Sequence, residues 1–531
     1  MTAIEHVAAN LSEVMPGQMK AVELGRHTVL LVNIDGNLHA IGGTCPHYGA
    51  PLVEGTLCGK RLICPWHQSN FDITTGNFLE PPVMDNLPHY ALRTQGDKIL
   101  VTVPGATDRV EPPMVRADYN SNGMRYCIVG AGAAGNMAAQ TLREAGFQGY
   151  ITLISHETRP PYDRPNLSKE YLQGALKAEA LTLRDEEFFH RHGIERLAYE
   201  VTRVDVKKKL IQFKEKVKPL EFDTVLLATG SVPKRLDVPG ADLPNVFTLR
   251  SFDDAQAIIG ALHGSRAVVV GSSFIGMEVA ASLVKRGLEV TVVGRTEEPF
   301  EKQLGKQLGR RFRVMHESHG ITFYNKSRVQ RFEGDERARR VVLDSGHEIS
   351  ADVFIVGVGV TPQGRIVHGI DHGEDGSITV DRYLRAAPEV FAAGDIARFP
   401  DSRSGRFTRI EHWRTAEQMG RMAALNMHGQ ALEFNAVPFF WTFQFELGLD
   451  YIGHADAWDE VILDGDLEKL DFMAYYVQDN RVLAAAGANR TAQAAAFAEL
   501  MRLNALPPGD EFRAGSIDLI PRMRAATRAL A

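Results

Sequence analysis

Two segments of this chain share one grammar, and that duplication constrains the fold more than any other feature. Residues 125–155, RYCIVGAGAAGNMAAQTLREAGFQGYITLIS, and 266–294, RAVVVGSSFIGMEVAASLVKRGLEVTVVG, each read as an apolar strand, a glycine turn, an amphipathic helix and a second apolar strand. Strands alternating with helices imply parallel, doubly wound sheets. A chain of 531 residues has room for about three or four domains. The flanks differ: residues 1–103 carry short strand patterns, and from Glu433 strands precede an Ala-rich helical segment. The expected division is 1–103, an all-β unit; 104–123, a flexible linker rich in Pro, Asn, Asp and Gly; 124–234 with 357–432, and 235–356, two α/β units; and 433–531, an α+β unit. The linker, as a coil, would span about 25 Å.

Composition excludes several roles. Hydrophobic residues at 44% and charged residues at 24% are those of a globular chain. A net charge of −7 without a basic run argues against nucleic acid as a partner. The most apolar stretch, 266–293, is broken by Ser272, Ser273, Glu278, Lys285, Arg286 and Glu289, so no membrane span is expected. With no export signal visible, the expected address is a reducing cytoplasm.

Four cysteines, Cys45, Cys58, Cys64 and Cys127, are too few for a disulfide scaffold. Cys45-Pro46-His47 and Cys64-Pro65-Trp66-His67 pair one thiolate with one imidazole on each of two loops. A Cys2His2 zinc site is the alternative, but zinc fingers keep cysteines together and histidines together. The pattern resembles the Rieske family, which implies a [2Fe-2S] cluster with Cys45, His47, Cys64 and His67 as ligands. The extra cysteines of respiratory Rieske proteins are here Ala50 and Trp66, and the hydroxyl pair that raises the potential in that subclass is Ser69 and Phe71. The resemblance therefore implies a ferredoxin-type carrier toward the low end of the Rieske range, roughly −150 mV. Cys58 and Cys127 read as packed core.

In the first α/β unit, Gly130, Gly132, Ala134 and Gly135 form a turn at which pyrophosphate can approach a helix N-terminus. Glu157 is the candidate for the ribose hydroxyls, with His156 or Ser155 as alternatives. The second turn has Gly271, Ser273 and Gly276, and Arg295 follows its second strand, which keeps NADPH open beside NADH; Glu297 and Glu298 lie close by. Two such folds, with LLATGSVP at 226–233, FAAGD at 391–395 and PYDRPNLSK at 161–169, resemble the flavoprotein pyridine nucleotide reductases, within them the oxygenase-type ferredoxin reductases and the apoptosis-inducing-factor family.

That resemblance implies a multidomain protein: an all-β Rieske domain, FAD- and NAD(P)H-binding Rossmann-like domains of the glutathione-reductase type, and an α+β C-terminal domain. It implies FAD contacts from Arg164, Lys169, Thr229, Gly230, Gly394 and Asp395, a nucleotide contact from Gly359, and a Lys169–Glu278 pair near the flavin ring. Trp413, in an E-x-W segment, is either a flavin neighbour or an ordinary core residue. No cysteine follows Cys127, so the thiol mechanisms of related reductases are excluded. The expected activity is transfer of electrons from NADH or NADPH through FAD to the fused cluster, within a chain or a homodimer, and on to an oxygenase or other redox acceptor. The alternative is a redox switch of the apoptosis-inducing-factor kind.

Overall fold

The computed structural model describes residues 3–106, 109–515 and 517–528. In the N-terminal unit, His27–Ile34 lies between Met19–Leu24 and Asn37–Gly42 in an antiparallel sheet. Ile4–Asn10 pairs with Lys98–Val103, so the N-terminal segment is also a strand. A four-stranded meander, Thr56–Cys58, Arg61–Ile63, Asn70–Asp72 and Phe78–Glu80, carries the second Cys-His loop between its second and third strands.

The first α/β sheet has the order Ile194–Ala198, Tyr150–Ser155, Arg125–Val129, Thr224–Leu227, Val390–Ala392 and Arg385–Ala387, parallel except at the last strand. Val225 pairs with Val390, so the chain leaves this sheet and returns to it. The intervening residues form the second parallel sheet, with Arg266–Val270 between Glu289–Val293 and Val353–Val356. These strands are rich in Val, Ile and Leu because both faces are covered: in the second sheet one face packs on helices such as Phe274–Lys285 and the other on an antiparallel sheet of Val329–Glu333, Arg340–Leu343 and Glu348–Ser350. The C-terminal unit is an antiparallel sheet with Phe439–Gln444 at one edge, followed by the helices Thr491–Arg502, Gly509–Arg513 and Leu519–Arg528.

Residues 104–106 and 109–123 depart from the expected coil. His27 contacts the Pro104 carbonyl, and Asn86 N–H donates to Val110 O at 2.8 Å. Val115 N–H donates to Arg143 O and Asp118 N–H to Gln148 O, while Tyr119 stacks on Tyr150 at 4.0 Å. Their composition removes helical and strand periodicity, but an extended backbone still satisfies its polar groups against the surfaces it crosses. The segment is a strap, and the N-terminal unit is docked.

The docking contacts are buried and charged. Arg414, 3% exposed, donates to Pro81 O, Gln68 O and Glu80. Arg184, 1% exposed, donates to Asp85 and to Met84 O. Removing one partner of such a pair leaves a buried charge, which costs about 3–5 kcal/mol.

Candidate functional site

The two Cys-His loops meet at the tip of the N-terminal unit. Cys45 and Cys64 are buried and share a hydrogen bond, which raises the thiol of Cys45 and lowers that of Cys64. His47 Nδ1 and His67 Nδ1 face each other at 3.0 Å. Burial pushes His47 down to about 3, and burial followed by the charge of His47 holds His67 well below the ordinary range. Both imidazoles are therefore neutral, the form that ligates metal. Thiol beside thiol and imidazole beside imidazole is the sorting a two-iron cluster needs, one iron taking each pair. Trp66 and His67 N–H groups point at the Cys64 sulfur, the His47 N–H and the Ser69 hydroxyl at that of Cys45, and Phe71 supplies no donor.

A cleft of 1310 Å³, its open mouth included, lies between the first dinucleotide fold and the C-terminal sheet. Gly130 sits at φ +113, and a Cβ there would fall 2.1 Å from Ala228 O; a Cβ on Gly135 would fall 1.8 Å from Gly130 O. Only glycine permits this close approach of helix to strand, which leaves the cradle open for pyrophosphate. Gly132, Ala134, Arg164, Lys169, Gly230, Gly394, Asp395 and Trp413 line the cleft. Asp395 pairs with Arg250 at 2.9 Å, and Thr229 donates to Gln363 O. Glu157 accepts from Tyr162 at 2.5 Å and from Arg164, so it stands beside the cleft with both oxygens engaged.

Lys169 and Glu278 come together across the two α/β units. Lys169 Nζ donates to Glu278 Oε2 at 2.9 Å, Ser168 donates to the same oxygen, and Thr442 donates to Oε1 at 2.7 Å. In the second fold, Cβ atoms on Gly271 and Gly276 would meet Gly357 O and Gly271 O, the same crowding as in the first. Ser273 stands at the N-cap position of the helix Phe274–Lys285, with no side-chain capping bond. Gly359, at φ +105, leads into the strand Val360–Pro362 that pairs with Ser231–Pro233. Arg295 is exposed, while Glu297 is held by Lys306 and Lys326, and Glu298 by Arg313.

Three functional contacts escape sequence reading. Trp441 lines the cleft, and its ring centroid is 4.2 Å from that of His67. The Tyr48 hydroxyl donates to Asp163 and accepts from Asn166, tying the first cluster loop to the turn that carries Arg164 and Lys169. Arg414, next to Trp413 of the cleft, grips the carbonyl of Gln68, next to His67.

The Rieske [2Fe-2S] domain pattern matches residues 5–91 and the reductase C-terminal pattern residues 439–520. The pyridine nucleotide-disulphide oxidoreductase pattern matches residues 124–420. The chain belongs to that family. It is 40% identical over 500 residues to apoptosis-inducing factor 3 of Homo sapiens, covering 92% of this chain and 82% of the relative. It is 34% identical to rhodocoxin reductase of Rhodococcus erythropolis over 371 residues, covering 69% of this chain and 87% of that one. The structure of a covalent putidaredoxin reductase–putidaredoxin complex superimposes with a TM-score of 0.71 at 29% identity, covering 77% of this chain and 100% of that one. The protein is an FAD-dependent NAD(P)H oxidoreductase of the ferredoxin reductase type with a Rieske [2Fe-2S] domain. Its family name mentions a disulphide, but Cys127, the one cysteine of the matched segment, is buried in a sheet core. Cys58 packs between the Rieske meander and the C-terminal helices. No helix among the described residues is long and apolar enough to cross a membrane.

Proposed function

We propose that this protein carries electrons from NAD(P)H through its flavin cleft to its own [2Fe-2S] cluster, within one chain, and on to an external one-electron acceptor such as an oxygenase or another redox protein. When bound, the flavin supplies conversion of a two-electron hydride into single-electron steps, and the cluster supplies a one-electron site. The observation that carries the reading is Trp441: one side chain lines the flavin cleft and lies against a cluster ligand. Arg414, Arg184 and Tyr48 hold the two sites in register, in place of the tethered search a loose linker would give. Lys169 and Glu278 are assigned as the pair that orients the nicotinamide and flavin rings. Gly130, Gly135, Arg164 and Asp395 are assigned to FAD, in a two-fold arrangement of the glutathione-reductase type.

With both nearby acids engaged, exposed Arg295 supports accommodation of a 2′-phosphate. The two cysteines outside the cluster loops, Cys58 and Cys127, are buried free thiols, which supports a reducing, cytoplasmic setting. The built interface between the Rieske unit and the reductase favours a relay over a redox switch.

Anaerobic titration with NADPH and with NADH, followed by flavin absorbance and by EPR, tests the reading. Bleaching of the flavin together with a Rieske signal is expected. Flavin bleaching without that signal in cluster-loaded protein would refute it.

A further inference from the structure

A second cavity, of 1090 Å³ with its open mouth included, lies where the Rieske unit, the first α/β unit and the C-terminal unit meet. It shares no lining residue with the flavin cleft. The Rieske meander supplies Arg61 and Glu80, the helix Trp413–Met427 supplies Arg414 and Arg421, and the helix Thr491–Arg502 supplies Glu499 and Arg502.

Four arginines thus line one space. Glu80 accepts from Arg61 at 3.0 Å and from Arg414 at 2.9 Å, and Glu499 accepts from Arg502 at 2.7 and 2.8 Å. Glu144, outside the lining, accepts from Arg421 at 2.6 Å. Three carboxylates set against four guanidinium groups leave one positive charge in excess. Among the described residues, each of the four guanidinium groups keeps a nitrogen with no hydrogen-bond partner.

The wall is also short of partners. Gln68 and Asn70 are each 4% exposed and Gln418 is 6% exposed, and all three line the cavity. Gln68 Nε2, Asn70 Oδ1, Gln418 Oε1 and Arg61 Nε are buried without a hydrogen-bond partner. Buried polar atoms are rarely left so. Leu79, Met422, Leu425, Phe434 and Val437 give the same cavity an apolar side.

We propose that this cavity binds a small monocarboxylate with an apolar body, an aliphatic or aromatic acid. Guanidinium groups hold a carboxylate through paired, charge-assisted hydrogen bonds. The single excess charge selects a monoanion over phosphate, and the apolar side selects a hydrocarbon body over a bare anion. Gln68 Nε2 and Arg61 Nε can add donors for the carboxylate, while Asn70 Oδ1 and Gln418 Oε1 can accept from a hydroxyl on the ligand or from water carried in with it. Because residues of three units make the site, an occupied cavity holds the Rieske unit in its docked place. The site is separate from the electron route, and binding there is read without turnover.

Calorimetric titration of the holoenzyme with sodium benzoate, in saturating NADP⁺ to keep the probe out of the nicotinamide site, tests this. Saturable binding at one site per chain is expected. Benzamide, which lacks the charge, and acetate, which lacks the apolar body, should each bind at least about tenfold more weakly. Arg421→Gln should weaken benzoate at least about tenfold while flavin and iron content stay unchanged. Saturating benzoate should raise the Tm of the unaltered protein, since a ligand of the docked state stabilises it. No saturable heat, an unchanged Tm, equal binding of benzamide or acetate, displacement of benzoate by equimolar phosphate, or undiminished binding in both Arg421→Gln and Arg502→Gln would overturn the proposal. The comparison of benzoate with benzamide and acetate is made on the unaltered protein, so it decides even if a variant folds poorly.

Discussion

Replacing Trp441 with alanine slows reduction of the cluster by at least about tenfold, the equivalent of about 1.4 kcal/mol of barrier, while reduction of the flavin keeps its rate. The indole fills the space between the cleft and His67, with 4.2 Å between ring centroids, and a second edge contact to His47 at 6.5 Å. Alanine leaves a gap there that the Phe439 ring, 6.1 Å from the indole, does not bridge. Phenylalanine at 441 restores a ring and should recover most of the rate. Stopped-flow absorbance separates the phases. Equal slowing of both would reassign Trp441 to shaping the flavin site, and no slowing of either would remove it from the route.

Replacing Cys64 with serine has the second large effect. The thiol is buried and its sulfur receives backbone N–H groups from Trp66 and His67, so the loop is built around a thiolate. Serine offers a harder, less acidic ligand. Cluster content measured by iron analysis and EPR should fall by more than the roughly 10–100-fold that loss of an outer-shell partner costs. Reduction of the flavin by NAD(P)H should continue, because the cleft is lined by the reductase units alone. Reduction of cytochrome c, used as a one-electron probe, should fall with the cluster. Retained cytochrome c reduction would mean that electrons leave from the flavin directly.

Much of this was legible in the sequence for a physical reason. Dinucleotide turns are local in sequence: Gly130 and Gly135 are five residues apart, and Gly135 is crowded by Gly130 O of the same turn, while Gly130 is crowded by Ala228 O at the end of the neighbouring strand. Cluster loops are likewise short, and their ligand types speak directly. Lys169 and Glu278 are far apart in sequence, and only the family pattern paired them; the structure joins them at 2.9 Å. The N-terminal strand Ile4–Asn10 leaves little trace in the sequence because it is an edge strand with Ile4 and Val7 exposed, so it lacks a strong apolar alternation. The strap of residues 104–106 and 109–123 gives no signal of its own, because low periodicity does not distinguish a free coil from an extended backbone bonded to the surfaces it crosses.

What composition and spacing could not show are meetings between distant parts of the chain. Tyr48 reaches Asp163, Arg414 reaches Gln68, and Trp441 reaches His67.

The central claim is that electrons pass between flavin cleft and cluster inside one docked chain. Rapid mixing of the holoenzyme with NADPH at protein concentrations spanning two decades tests it most directly, with cluster reduction followed by freeze-quench EPR. A docked relay predicts a first-order rate that is the same at every protein concentration. A rate that rises in proportion to protein concentration would mean that clusters are reduced by other molecules, and would contradict the account.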